Sequence, residues 1–362
     1  MGDNSKKVLL KGNEAFATAA IRAGCRFYFG YPITPQNEVP EYMSRELSKV
    51  GGYFVQAESE LAAINMAYGA AAAGGRVFIS SSSPGIALMQ EGISVISSAD
   101  LPLVMMNVMR GGPGIGSIQP SQADYYQVTR GGGNGDYHIF VYAPASIQEA
   151  IEMIYNGYEI AEEYRNIVMI AADGMLGQMM EPVLLPEPRA AQTAEDVAAK
   201  KPWALTGHHD EREANAVKSL HLTQQELEVH LFEKEKMYEK AKEELQDWSE
   251  LSMEDPEVVF VAFGSTSRIA AEAIEMLAEQ GVRAGMIRPK TLWPFPDKAF
   301  KSLGDSVKRI ISVELSLGQM IDDIRLATSD RYPVSLINRT GGMLLSPEEI
   351  TERTLAIMEG GL

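Results

Sequence analysis

Residues 101–109 read LPLVMMNVM, a run without a single charge. It is far shorter than the roughly 20 apolar residues a membrane span needs, and it fits a strand covered on both faces. RVFIS (76–80), HIFVYAP (138–144) and NIVMIAA (166–172) have the same character. Between these runs lie helical stretches, SELAAINMAYGAAAAGG (59–75) and SIQEAIEMIYNGYEIAEEY (146–164). Upstream, KVLL (7–10) reads as a strand, GNEAFATAAIRAG (12–24) as a helix stopped by Gly24, and RFYFGYP (26–32) as a short aromatic strand. Strand and helix in alternation predict an open, mostly parallel α/β domain over residues 1–190.

From 191 to 255 the pattern changes. EPRAAQTAEDVAAKKPWALTGHHDE (187–211) has no period, and LEVHLFEKEKMYEKAKEELQDW (227–248) reads as a helix with Leu227, Leu231, Tyr238, Ala241, Leu245 and Trp248 on one side. That face packs either on the chain's own domains or on a partner helix. Four of the five histidines fall between 208 and 230, but His208 and His209 are adjacent and His221 and His230 are nine apart. No i, i+4 pair faces one ion, so metal binding is not expected. A second α/β unit follows over 256–362, with strands VVFVAFGS (258–265), VRAGMIRP (282–289), VKRIISVE (307–314) and PVSLINR (333–339).

Charge and cysteine content narrow the function. A formal net charge of −17 disfavours nucleic acid and anionic membranes as partners. The N-terminal MGDNSKKVLL has no secretory pattern and Lys6 breaks the myristoylation motif, so a cytoplasmic protein is expected. Cys25 is the single cysteine. One thiol holds neither a disulfide framework nor an iron–sulfur cluster.

Glycine loops offer little. RGGPGIG (110–116) lacks the dinucleotide spacing, RGGGNGD (130–136) precedes a strand, and no Gly-Lys-Ser/Thr occurs. SSSSPG (80–85) is read as a helix-capping turn, since the Gly-x-Ser-x-Gly frame is missing. GYPITPQ (30–36) places Thr34 between Pro32 and Pro35, each of which restricts the backbone before it. Either a hydroxyl is being held in place or the turn is simply rigid. Glu58 and Glu60 precede or open the alanine-rich helix, where acids also serve as caps. Thr34, Glu60 and Arg110 each follow a different strand at its carboxyl end, where open α/β sheets place ligands.

GYPITP, QAESELAAIN (56–65), NVMRGGPGIG (107–116) and ADGMLGQMMEP (172–182), in this order, resemble the α subunit of the 2-oxoacid:ferredoxin oxidoreductases, and most closely its branched-chain 3-methyl-2-oxobutanoate members. The similarity runs on through KPWALTG (201–207) and RPKTLWPFP (288–296). It implies thiamine diphosphate, a pyrimidine-binding first domain, a helical linker and a transketolase C-terminal-like last domain. It also implies decarboxylation of a 2-oxoacid to acyl-CoA with electrons passed to ferredoxin. In the family a diphosphate-binding β subunit carries Mg²⁺, and γ and ferredoxin-like subunits complete the assembly with the iron–sulfur clusters, as a dimer of heteromers. The chain has no Gly-Asp-Gly, consistent with an α subunit. By resemblance Glu60 is the catalytic carboxyl at the pyrimidine ring, and Pro32 and Thr34 line the cofactor site. Thr34 also meets substrate, and Arg110 pairs with its carboxylate. Pyruvate, 2-oxoglutarate, an inert scaffold role and a dinucleotide-binding reductase subunit are the competing expectations.

Overall fold

The computed structural model describes residues 6–208, 210 and 212–360. The first five residues, on which the reading of the N-terminus partly rests, and His209 lie outside the described residues. Leu103–Met109 is a central strand, buried along its whole length, and it pairs in parallel with Val77–Ser81 on one side and Ile167–Asp173 on the other. Burial on both faces is why its sequence is apolar at every position but Asn107 rather than alternating. The full sheet has seven strands, in the spatial order Thr291–Trp293, Phe140–Tyr142, Ile167–Asp173, Leu103–Met109, Val77–Ser81, Phe27–Gly30 and Tyr53–Gln56. Chain order reverses between Phe27–Gly30 and Val77–Ser81, the crevice where such sheets bind ligands.

The second sheet has five strands, in the order Val334–Asn338, Arg309–Glu314, Val258–Val261, Ala284–Pro289 and Trp248–Leu251. All pairings are parallel except the last. Its own reversal point, between Val258–Val261 and Arg309–Glu314, is filled from the first sheet's side. Gln122 donates to Phe263 O at 2.8 Å and accepts from Leu315 N at 3.0 Å, and Asp173 accepts from Ser265 N at 2.8 Å.

Three pairings depart from the sequence reading. KVLL does not enter the main sheet: Val8–Lys11 pairs antiparallel with Met180–Val183 in a separate two-stranded ribbon. The Gln224–Glu244 helix ends before Trp248, which opens a strand of the second sheet, so Trp248 is not on the helix face. Thr291–Trp293 crosses back to the first sheet as an antiparallel edge beside Phe140–Tyr142. The helix itself packs on its own chain through Tyr238 and Ala241, both buried, while Leu227 is exposed. Lys234 anchors it by donating to Ser97 O and Asp100 at 2.8 and 2.9 Å.

The crossover is sealed by aromatic rings. His138 stacks on Trp293 with centroids 4.5 Å apart, and Tyr238 meets both edge-on. Burial, with Lys242 and Arg130 nearby, pushes the imidazole down to about 4. An unfolded histidine titrates near 6.5, so the native state binds fewer protons than the unfolded chain between those values. Stability therefore falls as pH drops through 6.5 and the loss saturates below about 4. His138→Phe, which keeps the stack, is expected to flatten this part of the profile. Thermal unfolding at pH 7 and pH 5 measures it: the Tm gain of the variant over wild type grows at the lower pH. An equal difference at both pH values rules out the neutral half-buried imidazole.

Candidate active site

Six parallel strands end at one edge of the first sheet, and the chain leaving four of them builds the site. After Phe27–Gly30 the chain turns at Thr34–Pro35, closed by Gln36 N–H donating to Ile33 O at 3.0 Å. The turn is fixed by side chains from three other places. Arg110 Nη1 donates to Thr34 O, and Asn13 Nδ2 and Gln178 Nε2 both donate to Pro35 O, each at 2.7 Å. Asn37 Nδ2 lies 3.4 Å from the Thr34 hydroxyl. Pro35 is buried, whereas Pro32 is exposed on this chain. The turn is thus held mainly through its carbonyls.

After Tyr53–Gln56, Ser59 caps the Glu60–Ala72 helix by accepting from Ala62 N at 3.1 Å. Capping falls to Ser59, which leaves Glu60 free for another use. Glu60 is 5% exposed and Glu58 is exposed. Among the described residues the Glu60 carboxyl has no hydrogen-bond donor. It lies over Gly85, where a Cβ would come within 2.7 Å of Glu60 Oε1 and 2.0 Å of Ser81 Oγ. Only glycine lets that carboxyl sit against the first turn of the Ser83–Ser98 helix.

Arg110 ends the central strand and is 8% exposed. Besides Thr34 O it donates to Ile115 O at 3.2 Å, tying the glycine loop to the Thr34 turn. Its Nε is buried without a partner. Its backbone N–H donates to Ser83 Oγ at 2.9 Å, and Ser83 in turn donates to Asp124 at 2.6 Å, where Asn107 also donates at 2.9 Å. Burial raises the Asp124 carboxyl, with these two donors opposing it. The SSSSPG turn is therefore not a capping turn in the expected sense: Ser82 occupies the N-cap position without a side-chain cap bond. A cleft of about 540 Å³ opens beside the turn, with Thr34, Pro35, Glu38, Ile118, Met175 and Met179 among its walls. Neither Glu60 nor Arg110 is one of them.

Gln36 Nε2, Ser81 Oγ, Ser82 Oγ and Arg110 Nε are all buried and unpartnered. Each such group costs about 1–3 kcal/mol, so such groups in a native fold call for a partner that the chain itself does not supply. With one buried carboxyl among them, the set fits a polar heterocycle such as the aminopyrimidine of thiamine diphosphate. Nothing comparable fits a metal: among the described residues no group of His, Cys, Asp and Glu is placed to hold one. No helix among them is long and apolar enough to cross a membrane. Sequence reasoning missed Asn13, Gln36, Ser81, Asp124 and Gln178. Only the serine run carried a signal.

A largely buried glutamate and unpartnered polar groups at the reversal point of a parallel sheet mark a ligand site in an α/β fold. Residues 18–262 match the family model described as "Pyruvate flavodoxin/ferredoxin oxidoreductase, thiamine diP-bdg", and residues 256–350 match "Pyruvate:ferredoxin oxidoreductase core domain II". The chain is 45% identical to the ketoisovalerate oxidoreductase subunit VorB of Methanothermobacter thermautotrophicus, over 95% of this chain and 96% of that one. It is 36% identical to the 2-oxoglutarate synthase subunit KorA of Methanocaldococcus jannaschii, over 97% and 100%. Among solved structures, the 2-oxoglutarate:ferredoxin oxidoreductase of Magnetococcus marinus, determined with 2-oxoglutarate, coenzyme A and succinyl-CoA bound, superposes with a TM-score of 0.84 at 26% identity. That match covers 98% of this chain and 66% of the longer solved chain. The chain belongs to the 2-oxoacid:ferredoxin oxidoreductase family.

Proposed function

We propose that this chain is the pyrimidine-binding α subunit of a thiamine-diphosphate-dependent 2-oxoacid:ferredoxin oxidoreductase acting on a branched-chain substrate, 3-methyl-2-oxobutanoate. In this reading residues 1–190 bind the pyrimidine, 191–255 link, and 256–362 form the transketolase C-terminal-like domain. The observation that carries the reading is the junction at the sheet's reversal point: Arg110 hydrogen-bonded to Thr34 O at 2.7 Å, with buried Glu60 opening the Glu60–Ala72 helix. A scaffold subunit has no use for a glutamate held 5% exposed at the crevice with no donor to its carboxyl among the described residues. The higher identity to a ketoisovalerate oxidoreductase subunit than to a 2-oxoglutarate synthase subunit, 45% against 36%, favours the branched-chain substrate.

Thiamine diphosphate, when bound, supplies the carbon nucleophile and electron sink for decarboxylation. The chain's own residues do the rest. Glu60 would hold a proton at the pyrimidine ring nitrogen, Pro32 and Thr34 would help hold the cofactor, and the Thr34 hydroxyl would also meet substrate. Arg110 pairs with the substrate carboxylate through N–H groups not spent on Thr34 O and Ile115 O. Cys25 is buried, donates to Phe27 O, and its thiol is raised by burial, so it is no cluster ligand. Iron–sulfur clusters and Mg²⁺ then belong to partner subunits: a β subunit for the diphosphate, with γ and ferredoxin-like subunits leading to ferredoxin. The test is acyl-CoA formation from coenzyme A by the purified complex over a panel of 2-oxoacids. The highest kcat/KM is expected with 3-methyl-2-oxobutanoate. Preference for pyruvate or 2-oxoglutarate removes the substrate assignment, and turnover of none removes the enzyme reading.

A further inference from the structure

Ser81 ends the Val77–Ser81 strand, pairs with Asn107 in the sheet and is completely buried. Its hydroxyl has no hydrogen-bond partner. Neither the strand nor the following helix uses it, since Ser82 occupies the N-cap position and Ser83 carries the bonds to Arg110 and Asp124. Yet Ser81 Oγ and Glu60 Oε1 converge on one point, the place a side chain on Gly85 would fill, at 2.0 and 2.7 Å from it. A donor without an acceptor and a carboxyl without a donor thus border the same spot, one that only a glycine leaves unfilled. Buried hydroxyls seldom go unpaired in native folds, and the exceptions concentrate where a ligand completes the bonding.

We infer that Ser81 is a positioning residue for Glu60: its hydroxyl donates to the Glu60 carboxyl when that carboxyl turns to the pyrimidine ring. The bond fixes which carboxyl oxygen faces the ring and which faces the protein. Gly85 provides the room for that movement. Glu60 is the catalytic residue; Ser81 acts through it. The inference rests on the proposed role of Glu60.

Two readouts separate this role from a structural one. The first is proton–deuterium exchange at C2 of thiamine diphosphate bound to the assembled complex. The second is the Tm of the cofactor-free complex. Ser81→Ala is expected to slow exchange about tenfold, the effect of losing one hydrogen bond to a charged group. The same change removes an unpaired buried hydroxyl, so the cofactor-free Tm should rise by about 1–3 °C. The further rise on adding thiamine diphosphate should shrink. Ser97 provides the control, because its hydroxyl is equally buried and unpaired but lies near the far end of the Ser83–Ser98 helix. Ser97→Ala should raise the Tm similarly and leave exchange at the wild-type rate. Wild-type exchange in Ser81→Ala overturns the inference. So does a cofactor-free Tm or assembly yield below wild type, which would mean the hydroxyl has a structural partner. Wild-type exchange in Glu60→Gln would overturn the reading beneath it, and this inference with it.

Discussion

Glu60→Gln is expected to slow C2 proton exchange of bound thiamine diphosphate by about a hundredfold or more, the scale of a lost acid–base partner. The substitution keeps shape and removes charge. Glutamine occupies the same volume over Gly85, and the helix keeps its cap because Ser59, not Glu60, accepts from Ala62 N. Fold and assembly should therefore survive, and the Tm of the complex should change little. The amide holds its two protons permanently and cannot share one with a ring nitrogen as a carboxyl does. Glu58→Gln is the matched control: Glu58 is exposed, two residues away in the sequence, and its loss should leave exchange unchanged. If Glu58→Gln exchanges slowly and Glu60→Gln normally, the acid has been assigned to the wrong residue. A bulky neighbour offers a consistency check. Gly85→Ala would place a methyl within 2.7 Å of Glu60 Oε1, and exchange should fall there too.

Much of this arrangement is readable from the chain because strand ends are local features. Apolar runs locate Val77–Ser81, Leu103–Met109 and Ile167–Asp173, and Arg110 follows the second of them, while Thr34 and Glu60 follow the shorter strands Phe27–Gly30 and Tyr53–Gln56. Parallel pairing then gathers Thr34, Glu60 and Arg110 on one edge, since every carboxyl end points the same way. What is not readable is set by partners distant in sequence. Val8–Lys11 looks like any first strand, and only its pairing with Met180–Val183 takes it out of the sheet. Thr291–Trp293 is three residues long, too short for a period, and its place is decided by the His138 and Phe140 rings against Trp293. The clamps on the Thr34 turn come from Asn13 and Gln178, 22 and 143 residues from Pro35. An amide in a helix gives no sign that a turn carbonyl awaits it. Ser81 is the converse case, visible in sequence as one of four serines but informative only through a bond it does not make.

Arg110 is where structure sharpens a sequence expectation most. By resemblance it meets the substrate carboxylate, and its alternative role is to anchor the glycine loop. The geometry shows the anchoring and leaves N–H groups for the proposed pairing. One Nη1 proton is spent on Thr34 O at 2.7 Å and one Nη2 proton on Ile115 O at 3.2 Å, while the buried Nε–H is unspent. A guanidinium has five N–H groups in a planar fork, so three remain for a carboxylate. Arg110→Ala is expected to raise KM for the 2-oxoacid about thirtyfold to several thousandfold, since truncating one member of a desolvated ion pair costs about 2–5 kcal/mol. Arg110→Lys should recover only part of this, because an ammonium cannot hold a carbonyl and fork a carboxylate at once. Loss of the Thr34 O bond should also loosen the turn, so kcat should fall in Arg110→Ala by a smaller factor than KM rises. C2 exchange needs no substrate and depends on Glu60, so it should stay near wild type in both variants. Steady-state kinetics and exchange on the same preparations decide the matter. If Arg110→Ala lowers assembly yield or Tm while KM in the surviving complex barely moves, the side chain is an anchor alone. The substrate carboxylate must then be met from elsewhere.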